Sequence, residues 1–408
     1  MTDESATQTW SASGHEDDYV IQSLLDTDLY KFTMMQTVLH QHPAAEVEYH
    51  FRSRNKQLDF SDCMADIEAE IAHLCQLRLT EDELAYLGQL DYIKPDFIHF
   101  LRLFRLDQRF VTVSCSQGEL LLKIHGPWLH TILFEVPLLA IISEVYCRKH
   151  NPQPDLIGAR ARLQDKIALV RSQPEYQDFR FSDFGTRRRY SRAWQQEVVE
   201  ELAQQLPEQF SGTSNLDLAR RLNLKPVGTL AHEFMQAFQA LGPRLIDSQK
   251  MALEAWVHEY RGQLGIALTD VVGMDAFLRD FDLYFAKLFD GLRQDSGDPV
   301  EWTEKALAHY RKLNIDPRSK TFVYSDGLTM HSALDLHTRF REQCKPAFGI
   351  GTHLTNDIMS ETPINIVLKM TSCNGQAVAK LSDSPGKAMS DDAGYLAYLA
   401  QVFGVEVQ

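Results

Sequence analysis

Apolar residues recur at Leu25, Leu29, Phe32, Met35 and Leu39, the spacing of one helix face, and predict a helix within 22–42. The pattern then switches to strict alternation in "AEVEYHFR" (45–52). Val47, Tyr49 and Phe51 fall on one side, as in a half-buried strand. Helical spacing returns over 62–78 with Met64, Ile67, Ile71 and Leu74, and Thr80 with Glu83 forms a capping box for the helix after it. "RFVTVSCSQGELLLKIHG" reads as a hairpin turning at Ser116-Gln117-Gly118. The most apolar run, "LFEVPLLAIISEV" (133–145), is too short to span a bilayer and carries Glu135 and Glu144; it reads as a buried helix kinked at Pro137. The first third thus mixes helices with a mainly antiparallel sheet.

The rest of the chain alternates short apolar runs with helical stretches. Strands are predicted in "FRFSDFG" (179–185), "FSGT" (210–213), "KPVGT" (225–229), "LGIALTD" (264–270), "DGLRQD" (290–295), "TFVYSD" (321–326) and "PAFGIG" (346–351). Helices follow most of them, such as 298–313, where Pro299 suits the first turn. Seven such units imply a parallel α/β barrel. "NIVLKM" (365–370) and "AVAKL" (377–381) look like a hairpin that returns to the first domain's sheet. The expected organisation is an acidic disordered tail at 1–18, an N-terminal α+β domain at 19–125 joined by 363–408, and an α/β barrel at 126–362.

The formal net charge of −15 argues against nucleic acid or an anionic membrane as partner, so local cations must hold any anionic ligand. The six cysteines lie far apart with no metal-ligand spacing, as expected of reduced thiols in the cytoplasm. The polar first 18 residues lack the features of a signal peptide.

Every predicted barrel strand ends in polar or glycine residues, and in a parallel barrel those ends share one face. They are Asp183 to Arg187, Thr213-Ser214-Asn215, Thr229 then His232, Asp270, Arg293-Gln294-Asp295, Ser325-Asp326-Gly327, and Gly349 to Thr352. Arg187, Arg188 and Arg189 sit at a helix start, either as a solvated basic surface or around a bound anion. "FGIGT" bares backbone N–H groups that suit a phosphate. "RQDSGD" adds acids that accept from a sugar diol or hold Mg2+ through water. Together these describe a ribose phosphate site. His232 has no second histidine at zinc-protease spacing, no GxSxG elbow appears, and His40 and His42 read as an exposed helix end.

"SLLDTDLYKFTMMQ", "SDFGTRRRYSR", "GTSNLDLARRL", "GTLAHEF", "QLGIALTD", "LRQDSGDPVEW", "FGIGTHLT" and "AKLSDSPGK", in this order, resemble the bacterial nicotinate phosphoribosyltransferase family. The resemblance implies an incomplete α/β barrel with an N-terminal open sandwich. It also implies transfer of phosphoribose from 5-phosphoribosyl 1-diphosphate (PRPP) to nicotinate, giving nicotinate mononucleotide and pyrophosphate in NAD salvage. By that resemblance Arg293 and Asp295 contact the ribosyl part, whereas Asp298, followed by Pro299, reads as the cap of the next helix. Phe184 stacks on the pyridine ring with Arg187 nearby, and Tyr30 closes the other ring face from a neighbouring subunit of a homodimer with shared sites. Gly349, Gly351 and Thr352 take the 5′-phosphate, and Ser325-Asp326 a sugar-phosphate contact. His232 becomes a phosphohistidine at the expense of ATP, and Mg2+ assists.

Ser214, at the end of the second strand beside Thr213, stands where nicotinamide-using relatives carry aspartate, which favours nicotinate over nicotinamide as the base. Quinolinate would call for a denser cationic pocket. A dead PRPP sensor would have lost Arg293, Asp295 or His232, and an aldolase-like barrel would want a strand-end lysine.

Overall fold

The computed structural model describes residues 19–55, 58–358, 363–384, 390 and 392–405. The stretch 1–18 and the 385–387 end of "AKLSDSPGK" lie outside the described residues. In chain order the strands are β1 (Glu46–Ser53), β2 (Val111–Ser116), β3 (Glu119–Pro127), β4 (Phe181–Asp183), β5 (Phe210–Thr213), β6 (Ile266–Leu268), β7 (Gly291–Gln294), β8 (Thr321–Tyr324), β9 (Lys345–Ile350), β10 (Ile366–Cys373) and β11 (Gln376–Ala377).

Five of them form an antiparallel sheet in the order β11-β10-β1-β3-β2. The alternation that marked β1 is borne out, with Val47, Tyr49 and Phe51 buried. The β2–β3 hairpin turns at Gln117 and Gly118, whose φ values of 53° and 83° put both in the left-handed region that tight hairpin turns need. The C-terminal hairpin returns as expected: β10 lies antiparallel to β1, pairing Val47 with Cys373 and Ser53 with Ile366.

The parallel sheet has the order β5-β4-β9-β8-β7-β6, six strands where the hydrophobic pattern implied seven. The missing one is "KPVGT". Pro226 has no N–H to give to a ladder, and the stretch makes only an isolated bridge to Thr213. It still fills the gap in the barrel wall. Val227 N–H donates to Thr213 O at 2.9 Å, and Leu230 N–H donates to Ile266 O at 3.1 Å, so the stretch links β5 to β6 as an irregular stave.

The helix predicted within 22–42 begins only at Leu29 and runs to Gln41, because Asp28 is still extended (φ −77°, ψ 140°). Thr80 and Glu83 do form the capping box. Asp298 caps the helix Pro299–Lys312, its Oδ1 accepting from the Val300 and Glu301 N–H groups. His40 is not simply surface: its Nδ1 lies 2.8 Å from Glu259 Oε1.

The apolar run is longer than 133–145. It extends from Trp128 to His150, and by length and apolarity alone it would cross a membrane. However, 94% of its most apolar window is buried inside the protein, so it is a core element. Pro137 does not kink it. It lies in the first turn of the helix Glu135–His150, where its missing N–H costs no bond, and the break comes earlier, in the 3-10 turn Ile132–Phe134. Leu138, Ile141 and Ile142 are fully buried, each stabilising the core by roughly 1.5–3 kcal/mol. The helix packs against both β10 and the 3-10 turn Thr186–Arg188, and so ties the two sheets together at the end of the barrel where the strand termini gather.

Candidate active site

The C-terminal ends of the barrel strands surround a cavity of about 310 Å³. Its lining includes Phe184, Arg187, Arg293, Asp295, Ser325, Asp326, Gly351 and Thr352, eight residues that the sequence singled out. A much smaller cavity adjoins it, lined by Tyr30, Glu135, Arg187, His232, Arg293 and Lys369 among others.

Arg293 leaves β7 almost fully buried, with all three guanidinium nitrogens engaged. Nε donates to Ser325 Oγ at 2.7 Å, one terminal nitrogen to Thr229 Oγ1 at 2.9 Å, and the other to Asp295 Oδ1 at 2.8 Å. Its position is therefore set before any ligand arrives. Burial works against a charged Asp295, but Arg293, His232 and Lys380 more than offset it and hold the carboxyl well below its ordinary pKa. Asp295 Oδ1 also accepts from Ser325 at 2.8 Å.

Phe184 follows β4 directly. A side chain at Gly349 would place a Cβ 2.2 Å from its ring, so glycine there makes room for the aromatic platform. Arg293 lies 5.8 Å from the ring centroid, a cation–π contact. This corrects the expectation for Gly349. It does not line the cavity; Gly351, Thr352 and His353 do.

The three arginines of "TRRRYSR" part company. Arg189 is fully buried and pairs with both oxygens of Asp26, at 2.7 and 2.8 Å. Neither the solvated-surface nor the bound-anion reading fits it. Arg188 donates to Asn365 Oδ1 at 2.8 Å, and burial with Arg187 and Arg54 nearby lowers its pKa to about 10. Arg187 lines both cavities, its closest carboxylate being Glu135 at 3.8 Å.

Thr213 and Ser214 do not line either cavity, contrary to expectation. Thr213 Oγ1 donates to the buried Asp183 at 2.7 Å, and Ser214 Oγ donates to the buried Asp28 at 2.7 Å. Both hydroxyls are spent on satisfying buried carboxylates one layer below the platform. Tyr30 lines the small cavity of its own chain. Leu29 N–H donates to Ser214 O at 2.8 Å, which fastens the start of this helix to the barrel end.

His232 opens the helix His232–Leu241 and is mostly buried. Its Nε2 lies 2.8 Å from Asp270 Oδ1 and 2.8 Å from Lys380 Nζ. One nitrogen cannot both donate to the acid and accept from the ammonium, so these contacts select different tautomers. Burial and the Lys380 charge push its pKa down to about 4, leaving a neutral imidazole at pH 7. Glu233, next in the chain, anchors this helix start. It pairs with the buried Lys31 and accepts from Tyr49 Oη at 2.6 Å and Trp128 Nε1 at 2.7 Å.

Sequence reasoning gave no role to Lys369, Lys380, Glu135, Arg54 or Asp270. Lys369 did leave a signal: it is the one charged residue in the apolar alternation of "NIVLKM". Lys380 stood inside the quoted motif "AKLSDSPGK", but nothing local shows that it reaches His232.

A family model described as the nicotinate phosphoribosyltransferase N-terminal domain matches residues 25–143, and the nicotinate phosphoribosyltransferase family model matches 179–407. The chain is 57% identical over 390 residues to a nicotinate phosphoribosyltransferase of Cupriavidus necator, covering 95% of this chain and 99% of that one. It is 58% identical over 389 residues to one of Xanthomonas axonopodis pv. citri, covering 95% and 98%. A crystal structure of nicotinate phosphoribosyltransferase from Vibrio cholerae superposes with a TM-score of 0.92 at 39% identity, over 96% of this chain and 95% of that one. One from Porphyromonas gingivalis gives 0.90 at 36%, over 95% and 100%. Sequence, fold and barrel-end residues agree, and the chain belongs to the nicotinate phosphoribosyltransferase family.

Proposed function

We propose that the protein joins nicotinate to PRPP, releasing pyrophosphate and forming nicotinate mononucleotide. The observation that carries this reading is the make-up of the large cavity. Arg54, Arg187, Arg188, Arg293, Lys369 and Lys380 face two acids, Asp295 and Asp326, in a chain whose net charge is −15. Such an excess of cations suits a ligand with several phosphates. The Phe184 platform suits a flat aromatic ring.

In this reading Arg293 and Asp295 hold the ribose. Positive charge grows on the sugar as pyrophosphate leaves, and the ionised Asp295 stabilises it. The pyridine nitrogen attacks with its own lone pair and needs no general base. Base choice rests on Arg187, whose only carboxylate neighbour within 4.0 Å among the described residues is Glu135 at 3.8 Å and which can take a nicotinate carboxylate. Ser214 no longer carries that argument, because its hydroxyl serves Asp28. A homodimer with shared sites is part of this reading, with Tyr30 standing beside Arg187 at the small cavity.

ATP coupling is the second part of the proposal. A neutral His232 held by Asp270 and Lys380 offers an imidazole lone pair as phosphoryl acceptor. Asp270 and Asp295 are oxygen donors of the kind Mg2+ takes, with atoms of His232, Asp270 and Asp295 all within 4.8 Å of one another. When bound, Mg2+ would neutralise charge on the diphosphate. The product would feed NAD salvage in the cytoplasm, a compartment that suits six free cysteines.

The test is incubation with PRPP, Mg2+ and either nicotinate or nicotinamide, with and without ATP, followed by assay of mononucleotide and ADP. Nicotinate mononucleotide, boosted by ATP with ADP released, is expected, and His232→Ala should lose the boost. Product from nicotinamide alone would overturn the base choice. No product from either base would leave a PRPP-binding protein.

A further inference from the structure

Lys369 enters the site from the wrong domain. Arg293 at the centre comes from the parallel barrel, but Lys369 sits on β10 in the antiparallel sheet, paired across to His50 of β1, and is the one cation on a strand of that sheet among the residues lining the two cavities. Leu368 and Met370 on either side are buried in that sheet's core, and the alternation turns Lys369 the other way. There it lines both cavities, at the junction between them.

Among the described residues its ammonium has no hydrogen-bond partner and no carboxylate within 4.0 Å. Its neighbours Lys31 and Lys380 differ: Lys31 is closed off by Glu135 and Glu233, and Lys380 by Asp270. A half-buried cation without a counter-ion is costly, and a bound anion would remove that cost. The charges that act on it are Glu135, Lys380, Arg187 and Asp295.

We infer that Lys369 is a substrate-binding residue that grips the diphosphate of PRPP, reaching it from the antiparallel sheet across the barrel mouth. The diphosphate must sit beside the sugar carbon that Arg293 and Asp295 hold, and the junction is next to Asp295. The base already has Arg187, and the Gly351–His353 turn lies apart at the end of β9, suited to the other phosphate. Burial, with Lys380 and Arg187 nearby, pulls the Lys369 pKa down to about 8, so the grip weakens as pH rises past 8. A diphosphate would reverse that shift.

This inference rests on the proposed use of PRPP, so its test has one arm that needs no catalysis. Calorimetry with inorganic pyrophosphate is run on the native protein and on Lys369→Met, with inorganic phosphate as control. The variant should bind pyrophosphate roughly tenfold to a hundredfold more weakly, the size of one charge-assisted hydrogen bond, with phosphate binding unchanged. Lys369→Arg should restore binding and remove the decline above pH 8. In turnover, KM for PRPP should rise in Lys369→Met while KM for nicotinate holds. Unchanged pyrophosphate affinity in the variant, or no pyrophosphate binding by the native protein, would overturn the inference. A rise confined to the nicotinate KM would do so too, by assigning Lys369 to the base. Pyrophosphate binding that depends on Lys369, without any mononucleotide formation, would instead sink the proposed reaction and keep the anion grip.

Discussion

Arg187 and Arg189 stand two positions apart in one run of arginines, but they belong to regions built on opposite rules. Around Arg189 charge meets charge, although its Nε has only Glu144, at 3.8 Å, and no hydrogen bond. Asp26 takes two of its nitrogens, Gln195 and the Val20 carbonyl accept as well, and Asn215 completes Asp26. Around Arg187 charge is left over, and six cations face two acids across an open cavity. The sealed region is finished without a ligand, so its ion pairs serve the fold. The open region is finished only by a ligand, so its charges serve binding. A buried pair and an unbalanced cavity can share a sequence motif and still have nothing functional in common.

The sharpest way to break this contrast is to unpair the sealed side. Asp26→Ala strands Arg189 in the core and should cost about 3–5 kcal/mol in urea unfolding, whereas Arg187→Ala should leave the unfolding midpoint nearly unchanged. Equal losses from both would show that Arg187 is structural too. Next in size, Asp295→Asn should lower kcat/KM for PRPP roughly 10²–10³-fold, because it removes charge where the sugar becomes cationic.

The pH behaviour gives a third test. His232 binds its proton near pH 4 when folded but near 6.5 when unfolded, so between those values the unfolded chain holds more protons. Its contribution to stability is therefore complete above 6.5 and is lost as pH falls toward 4. Lys380→Met removes one of the two causes and should move the acid limb of the proposed ATP hydrolysis upward toward pH 6.5. An unmoved limb would mean Lys380 does not set the state of His232. The smallest effect belongs far from the site: Thr80→Ala removes one half of a capping box and should cost about 1 kcal/mol in thermal unfolding, with kcat untouched.

The barrel's strand ends were legible because a parallel strand is a local event: a short apolar run followed by a polar end. Arg293, Asp295, Ser325 and Gly351 were found that way and do meet. Thr213, Ser214 and Gly349 look the same in one dimension, but their side chains or backbone are taken up by Asp183, Asp28 and the Phe184 ring. No run of neighbouring residues encodes that. Lys380 was invisible as a partner because 148 positions separate it from His232. The stave 225–231 was misread because its composition is strand-like while Pro226 forbids the ladder.

β10 has a consequence for the order of events during synthesis. It lies between β11 and β1 in a sheet whose strands β1, β2 and β3 are complete by residue 127. Translation at roughly 5–20 residues per second leaves those three strands waiting for more than ten seconds before β10 emerges. Throughout that wait the edge of β1 that will take β10 is unpaired, and both Lys369 and Lys380 are still to be made. A nascent chain released before residue 366 would carry every strand of the barrel wall, with an open strand edge exposed to other chains and neither lysine at the mouth. The ribosome thus has to translate past β10 before this protein can protect itself from aggregation or begin to work.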